Sequence, residues 1–364
     1  MGLTSWLAGL SAERPPVFVV TAPGAAAVRL AVEAEVRRRG WRSVSSPVAC
    51  SLLVVCGEPG PVLERAVERV LREIPRPRVE VRISVPDQAH ISLLLDRAVS
   101  ELADLGLQRA DTLSPAHGLS GEGEAGPEMA DRGPDRDGLE LDRLHARLGP
   151  VLADWPAGLV VRVVLQGDVV QEAETETVEG VGGGSFWTEP WTAAREGAEV
   201  ARGVAERRRT ACSLDALGRL LAVAGWERAA GQARWLRDDL LADQPSGRLT
   251  ARFERLSRCV LRSRTLRWML RDLGPVEAPG PVDRLEGDAV DRLRSLLGET
   301  RTALDLLDDP ASLDPPEDDR DVPGMAPVSL LPDLLAGADL GAARLIVASL
   351  DPDLDRPAAM AVHG

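Results

Sequence analysis

The sequence predicts an α/β protein: a small parallel sheet with flanking helices, followed by a β-hairpin and a helical-bundle region. Three observations carry this. Short β-rich runs alternate with amphipathic stretches over residues 17–105, two strand-like runs flank a Gly-Asp turn near the middle, and long Leu- and Arg-rich stretches of helical periodicity fill most of the remainder.

Residues 17–21 (VFVVT) form a β-branched, aromatic run that Pro23 and Gly24 break. Residues 25–39 read as a helix closed by Gly40, a C-terminal cap. Residues 51–55 (SLLVV) form a second, buried strand, and 57–61 a turn. The helix at 62–73 is expected to turn Val62, Ala66, Val70 and Ile74 to one face before Pro75 and Pro77 end it. A third strand alternates over 79–85 and a helix follows at 91–105. Strand and helix in alternation argue for parallel pairing.

Residues 111–138, rich in Gly, Pro, Asp and Glu, read as a flexible linker. Residues 158–165 (GLVVRVVL) and 169–178 (VVQEAETETV), joined through Gln166, Gly167 and Asp168, form a hairpin. A glycine loop follows at 180–185. Helices are expected over 213–242, where Leu214, Leu217, Leu221, Ala224 and Leu236 keep near-helical spacing, over the Arg-rich 249–273, over the more acidic 285–307, and at 331–350. The expected partition is an α/β domain at 1–110, a linker at 111–139, a hairpin-plus-helix domain at 140–308, an acidic Pro-rich linker at 309–325 and a C-terminal helix and tail at 326–364.

Composition narrows the chemistry. The 364 residues suit two domains or one core with insertions, and a 44% apolar share is ample for a packed core. A formal net charge of −14 argues against a general nucleic-acid binder, which needs positive surface. Tyr, Lys and Asn are absent, so every basic side chain apart from four His is Arg. That removes a Schiff base, the lysine of a phosphate loop and a phenolic acid. Cys50, Cys56, Cys212 and Cys259 form no CxxC pair, and their spacing suits neither zinc nor an iron–sulfur cluster. The first 16 residues lack the basic start of a signal peptide, and no stretch approaches the ~18 apolar residues of a membrane span. A cytoplasmic location is expected, with attachment at the inner face of a membrane through a partner.

Of the motifs, GVGGGS at 180–185 follows a hairpin rather than a buried parallel strand and has no Lys, so it reads as a loop. The segment 21–25 lies where a nucleotide site could form but lacks repeated glycines. His90, His117, His145 and His363 make no HxxxH pair. Two features fit partner binding. Arg252, Arg255, Arg258, Arg262, Arg267 and Arg271 spread over a helix that either meets an acidic partner or pairs with the chain's own acids. Phe186, Trp187 and Trp191 cluster beside the glycine loop, and Leu3, Trp6, Leu7 and Leu10 keep helical spacing. Trp6, Trp187, Trp191, Arg255 and Arg262 are therefore the candidate docking residues, with core packing the alternative for the tryptophans. No catalytic, cofactor-binding or metal-binding residue is assigned.

Two stretches resemble known proteins. Residues 40–78 (GWRSVSSPVACSLLVVCGEPGPVLERAVERVLREIPRPR) resemble the small, cluster-bearing subunit shared by respiratory complex I and energy-conserving nickel–iron hydrogenases. Residues 149–178 (GPVLADWPAGLVVRVVLQGDVVQEAETETV) resemble the opening hairpin of the large subunit of the same assemblies, and 216–241 suit its helical bundle. The order in one chain implies a fused, diverged pair. In the small-subunit family cysteines follow the first and third strands; the matching positions here, 22–26 and Val85, Pro86 and Asp87, hold none. The His-Arg-Gly motif that follows the large-subunit hairpin is replaced by Glu179, Gly180, Val181, Gly182 and Gly183, and the Tyr of the quinone pocket and the paired nickel cysteines are missing. The resemblance with these losses implies a non-catalytic accessory or assembly protein, without cofactors, that binds protein subunits of a membrane-associated redox complex. Two other readings stay open: an oxidoreductase subunit working with partner-bound cofactors, and a regulatory protein binding a small ligand near Pro23.

Overall fold

The computed structural model describes residues 13–104, 106–108, 132–134, 140–180, 184–277, 283–314 and 328–355. The chain divides into two compact units, one of residues 1–153 and 178–182, the other of 154–177 and 183–364.

The first unit holds three parallel strands in the order β1 (Val17–Thr21), β2 (Leu52–Cys56) and β3 (Val79–Ile83), in register from Val17, Leu52 and Val79 to Thr21, Cys56 and Ile83. All five residues of β2 are buried. A central parallel strand is covered on both faces, which is why its sequence is an unbroken apolar run. Helices α1 (Ala26–Arg38), α2 (Pro61–Glu73) and α3 (Gln88–Ala103) connect or follow the strands. On α2 Leu63 and Val67 are buried and Ile74, just after the helix, is buried as expected, with Ala66 and Val70 half-buried, whereas Val62 is 41% exposed, so Leu63 rather than Val62 leads the buried stripe. Val62 and Leu63 are adjacent apolar residues, and only packing against the sheet decides which of them leads the stripe. Helix α3 starts where Asp87 Oδ1 accepts the His90 amide at 2.6 Å and buries Ile91, Leu95, Ala98 and Leu102.

The side chain of Glu35 on α1 is fully buried. It accepts from Arg38 at 2.6 and 2.7 Å and from Arg39 at 2.5 Å, and Arg39 also donates to Asp96 at 2.6 Å and Ser92 Oγ at 2.7 Å on α3. This network ties α1 to α3. Burial pushes the Glu35 carboxyl up, but the bonds from Arg38 and Arg39 outweigh that and hold it below the usual carboxylate range. Within the expected linker, Arg132–Pro134 form a strand, β4, antiparallel to β5 (Glu140–Leu148); the rest of 111–131 and 135–139 lies outside the described residues.

The second unit opens with the predicted hairpin of β6 (Leu159–Gln166) and β7 (Val169–Thr177). Gly167 has φ +64, the left-handed value a two-residue turn requires at its first position. The hairpin end is fixed by Val170 N–H donating to Ala338 O at 2.9 Å and Gly337 N–H donating to Val170 O at 2.8 Å. Helices α4 (Glu189–Arg195), α5 (Arg202–Val223), α6 (Glu227–Leu241), α7 (Ser246–Arg262), α8 (Arg264–Leu270), α9 (Ala289–Asp305), α10 (Leu331–Leu335) and α11 (Leu340–Leu350) follow.

Three helices expected as single are divided. The stretch 213–242 turns at Gly225 (φ +76), where Trp226 N–H bonds Leu221 O at 2.8 Å and Gly225 N–H bonds Ala222 O at 2.9 Å, a Schellman closure. The stretch 249–273 breaks at Ser263, whose hydroxyl accepts the Leu266 amide at 3.2 Å and starts a new helix. The stretch 331–350 breaks at Gly337 (φ +81). The core of the unit combines Leu214, Leu217 and Leu221 of α5 with Leu236, Phe253, Leu256, Leu293 and Leu297.

Candidate functional site

In an open α/β sheet a ligand sits beyond the carboxyl ends of the strands. In the first unit that place is built from small residues in close contact. Ala22, Ala25 and Ala26 are buried after β1, and Gly57 (φ +84) follows β2. A Cβ on Gly57 would lie 2.4 Å from Ala25 Cβ and 3.3 Å from Ala22 Cβ, so the two strand–helix turns touch backbone to methyl. The chain returns here after the hairpin. A Cβ on Gly180 would lie 2.5 Å from Pro23 Cβ and 2.8 Å from Pro23 O, and one on Gly60 would lie 2.8 Å from Glu179 O. Cys56 is fully buried at the end of β2, and burial pushes its thiol up, so it stays protonated. Burial also raises Cys50, to about 11. The cluster-ligand positions of the resemblance thus hold buried alanines after β1, and Asp87, after β3, caps a helix.

The tryptophans beside the glycine loop are enclosed. Trp187 is 4% and Trp191 1% exposed. Phe186 and Trp187 meet edge to face at 5.1 Å, the Arg208 guanidinium lies 3.7 Å over Phe186, and that of Arg209 lies 5.2 Å over Trp191. Ser185 Oγ donates to Asp353 and accepts the Trp187 amide at 3.1 Å. The expectation of exposed anchors at Trp187 and Trp191 is therefore corrected in favour of the core-packing alternative: both rings are buried, Trp187 against Phe186 and Trp191 under the Arg209 guanidinium. Trp6 and the loop residues 181–183 lie outside the described residues.

A polar cluster missed in the sequence lies inside the helical unit. Asp215 on α5 and Arg237 on α6 pair at 1% and 0% side-chain exposure, Arg237 also bonds Asp238 at 2.9 Å, and Arg219 bridges Asp215 at 3.0 Å and Asp351 at 2.9 Å. Beside it is a cavity of about 50 Å³ lined by Cys212, Leu220, Arg284, Arg292, Glu299 and Asp351 among others. That volume suits a few waters. Arg292 donates to the carbonyls of Gly274 (2.8 Å), Gly287 (2.9 Å) and Leu273 (3.2 Å) and to Ser349 Oγ (2.9 Å); burial lowers it to about 10, which leaves it charged at neutral pH. Burial and the nearby Asp351 carboxylate keep the Cys212 thiol protonated. The cavity therefore sets fixed charge beside a protonated thiol and the hydroxyls of Ser213 and Ser349. Among the described residues no group of three or more His, Cys, Asp or Glu side chains is placed to hold a metal ion, and no helix is long and apolar enough to cross a membrane.

Arg255 and Arg262 are both exposed on α7. Arg252 pairs with Asp239, and Glu254 is taken by Arg301 at 2.5 Å. The chain's own acids thus account for Arg252, while among the described residues no carboxylate lies within ion-pair distance of Arg255, Arg258, Arg262, Arg264, Arg267 or Arg271. Trp268 on α8 is 76% exposed. The sequence carried the signal for it, since Leu266 and Leu270 take the buried side of α8 and leave Trp268 opposite.

No family model matches the chain, and no curated protein does. Among solved structures, the chain is similar in fold to one chain of the membrane-bound sulfane sulfur reductase, an archaeal respiratory membrane complex, at 15% identity and a TM-score of 0.44, over 59% of this chain and 99% of that one.

Proposed function

We propose that this chain is a non-catalytic accessory or assembly protein, a pseudo-subunit of a complex I-like or hydrogenase-like redox complex. The reading starts from the order of the two resembling stretches, small-subunit-like before large-subunit-like, in one sequence. The observation that carries it is at the strand ends of the first unit. The space that would receive a cluster is taken up by Ala22, Ala25, Gly57 and the returning Gly180, and the one thiol at the strand ends, Cys56, is buried and protonated. A cubane cluster needs about four thiolates on one side of such a sheet. What remains is a folded scaffold that supplies surface to protein partners, while partner subunits supply cofactors.

The test is affinity purification of the tagged full chain from its native cells, followed by identification of co-purifying proteins and metal analysis of the isolated chain. Stoichiometric recovery of redox-complex subunits, and failure of that complex to assemble on native gels when the gene is deleted, are the expected results. Several irons per chain after anaerobic purification, or normal assembly without the chain, would refute the proposal.

A further inference from the structure

We infer that the α7–α8 surface is a docking site for an anionic lipid bilayer. From Ser246 to Arg271 the sequence holds eight arginines, at 248, 252, 255, 258, 262, 264, 267 and 271, against one carboxylate, Glu254. This stands out in a chain of net charge −14. Helix α7 buries Leu249, Phe253, Leu256, Ser257 and Val260. At 100° per residue those positions occupy one side, and Arg248, Arg255, Arg258 and Arg262 fall together on the other, where all four are exposed. The stripe runs about 21 Å from Arg248 to Arg262 at 1.5 Å per residue. Helix α8 continues it. Leu266 and Leu270 are buried, Arg264, Arg267 and Arg271 are exposed, and Trp268 projects among them. The Arg267 guanidinium donates to Leu261 O at 2.9 Å, which joins the start of α8 to the end of α7. Leu261, 38% exposed, adds a second apolar side chain there.

These features suit lipid better than other polyanions. The surface is the outside of a helix, so it meets a plane rather than enclosing a chain. Trp prefers the headgroup level of a bilayer, and arginine stems lie along apolar surface while their heads reach phosphate. A nucleic-acid platform stacks successive bases on several aromatics, whereas α7 and α8 expose one. Acidic charge elsewhere on the chain repels an anionic membrane that comes within a Debye length of about 8–10 Å of it, so binding is confined to this face, and the attraction weakens with salt. The inference rests on this surface alone and is independent of the accessory-subunit reading.

The experiment uses purified full-length protein and extruded vesicles of phosphatidylcholine, with and without 30 mole percent phosphatidylserine, in a flotation assay. The wild type is expected to float with the anionic vesicles at least about tenfold more than with neutral ones, and less at high salt. Replacing Arg255 or Arg262 by Ala should weaken partition about fivefold each, and roughly 25-fold together. Brominated acyl chains should quench wild-type tryptophan fluorescence more than that of Trp268→Phe. These positions are exposed, so unchanged melting curves control for folding. Equal flotation of the double variant, or no preference for anionic vesicles, overturns the inference. So does tight binding of polyglutamate or single-stranded DNA by a protein that leaves the vesicles unbound.

Discussion

Replacing Asp215 by Leu should destabilise the helical unit by about 3 kcal/mol. Asp215 and Arg237 form a pair at 1% and 0% side-chain exposure. Removing one member of such a pair costs about 3–5 kcal/mol, because the other keeps its charge away from water. The low end applies here, since Asp238 still accepts from Arg237 at 2.9 Å and Arg219 keeps Asp351 at 2.9 Å. At about 2–4 °C per kcal/mol for a unit of this size, the melting temperature should fall by roughly 6–12 °C. Arg237→Met should do the same, whereas the double variant, Asp215→Leu with Arg237→Met, should return to within about 1 kcal/mol of wild type. Trp155, Trp187, Trp191, Trp226, Trp235 and Trp268 all belong to this unit, so tryptophan fluorescence during urea unfolding reports mainly on it. A single change that costs under about 1 kcal/mol, or a double variant that loses the sum of both, would show that the buried pair does not behave this way.

Three further outcomes are expected. Glu35 titrates below the usual carboxylate range, so its ion pairs stabilise the first unit fully above the unfolded-state value near 4.3 and are lost as pH falls through the lower folded value; Glu35→Gln should melt lower at neutral pH, with the gap closing below about pH 4, and a pH-independent gap would contradict this. Cys259 is exposed while Cys50, Cys56 and Cys212 are buried, so a disulfide-exchange reagent should titrate one thiol in the native protein and four in denaturant. Gly57→Val introduces a Cβ 2.4 Å from Ala25 Cβ at φ +84, and should cost about 3 kcal/mol or more in the first unit, read by circular dichroism; a variant as stable as wild type would show that the strand ends are not closely packed.

What was legible in the sequence was what local pattern encodes. The all-apolar run at Leu52–Cys56 marks a strand covered on both faces, and the turn at Gly167 marks the hairpin. The divided helices were hidden because Leu221, Ala224 and Leu236 keep nearly the same period across Gly225, and only the left-handed backbone there reverses the chain. The Asp215–Arg237 pair spans 22 positions on two helices, so nothing in the spacing of the 57 acidic residues singles it out. Between docking and core packing the local pattern at Trp187 and Trp191 cannot decide, because the groups that enclose them, such as Arg209 over Trp191 and Phe186 against Trp187, are fixed only by the tertiary fold. The buried alanines at the strand ends could be read as missing cysteines, but not as a filled space, since Gly180 reaches Pro23 from more than 150 positions away.

That return of the chain has a consequence for how the protein can be divided. Residues 154–177 belong to the second unit, yet 178–182 count with the first. The first unit is thus written in two separate passages of the gene, with a strand pair of the other unit between them. A protease cut between 111 and 131 yields an amino-terminal piece lacking β4, β5 and the 178–182 segment, and a carboxyl-terminal piece that carries them. The two pieces should stay together under native conditions and separate in denaturant. An expression clone ending near residue 110 should be less soluble than a split pair produced together, so this protein is better taken apart as complementing fragments than as independent domains.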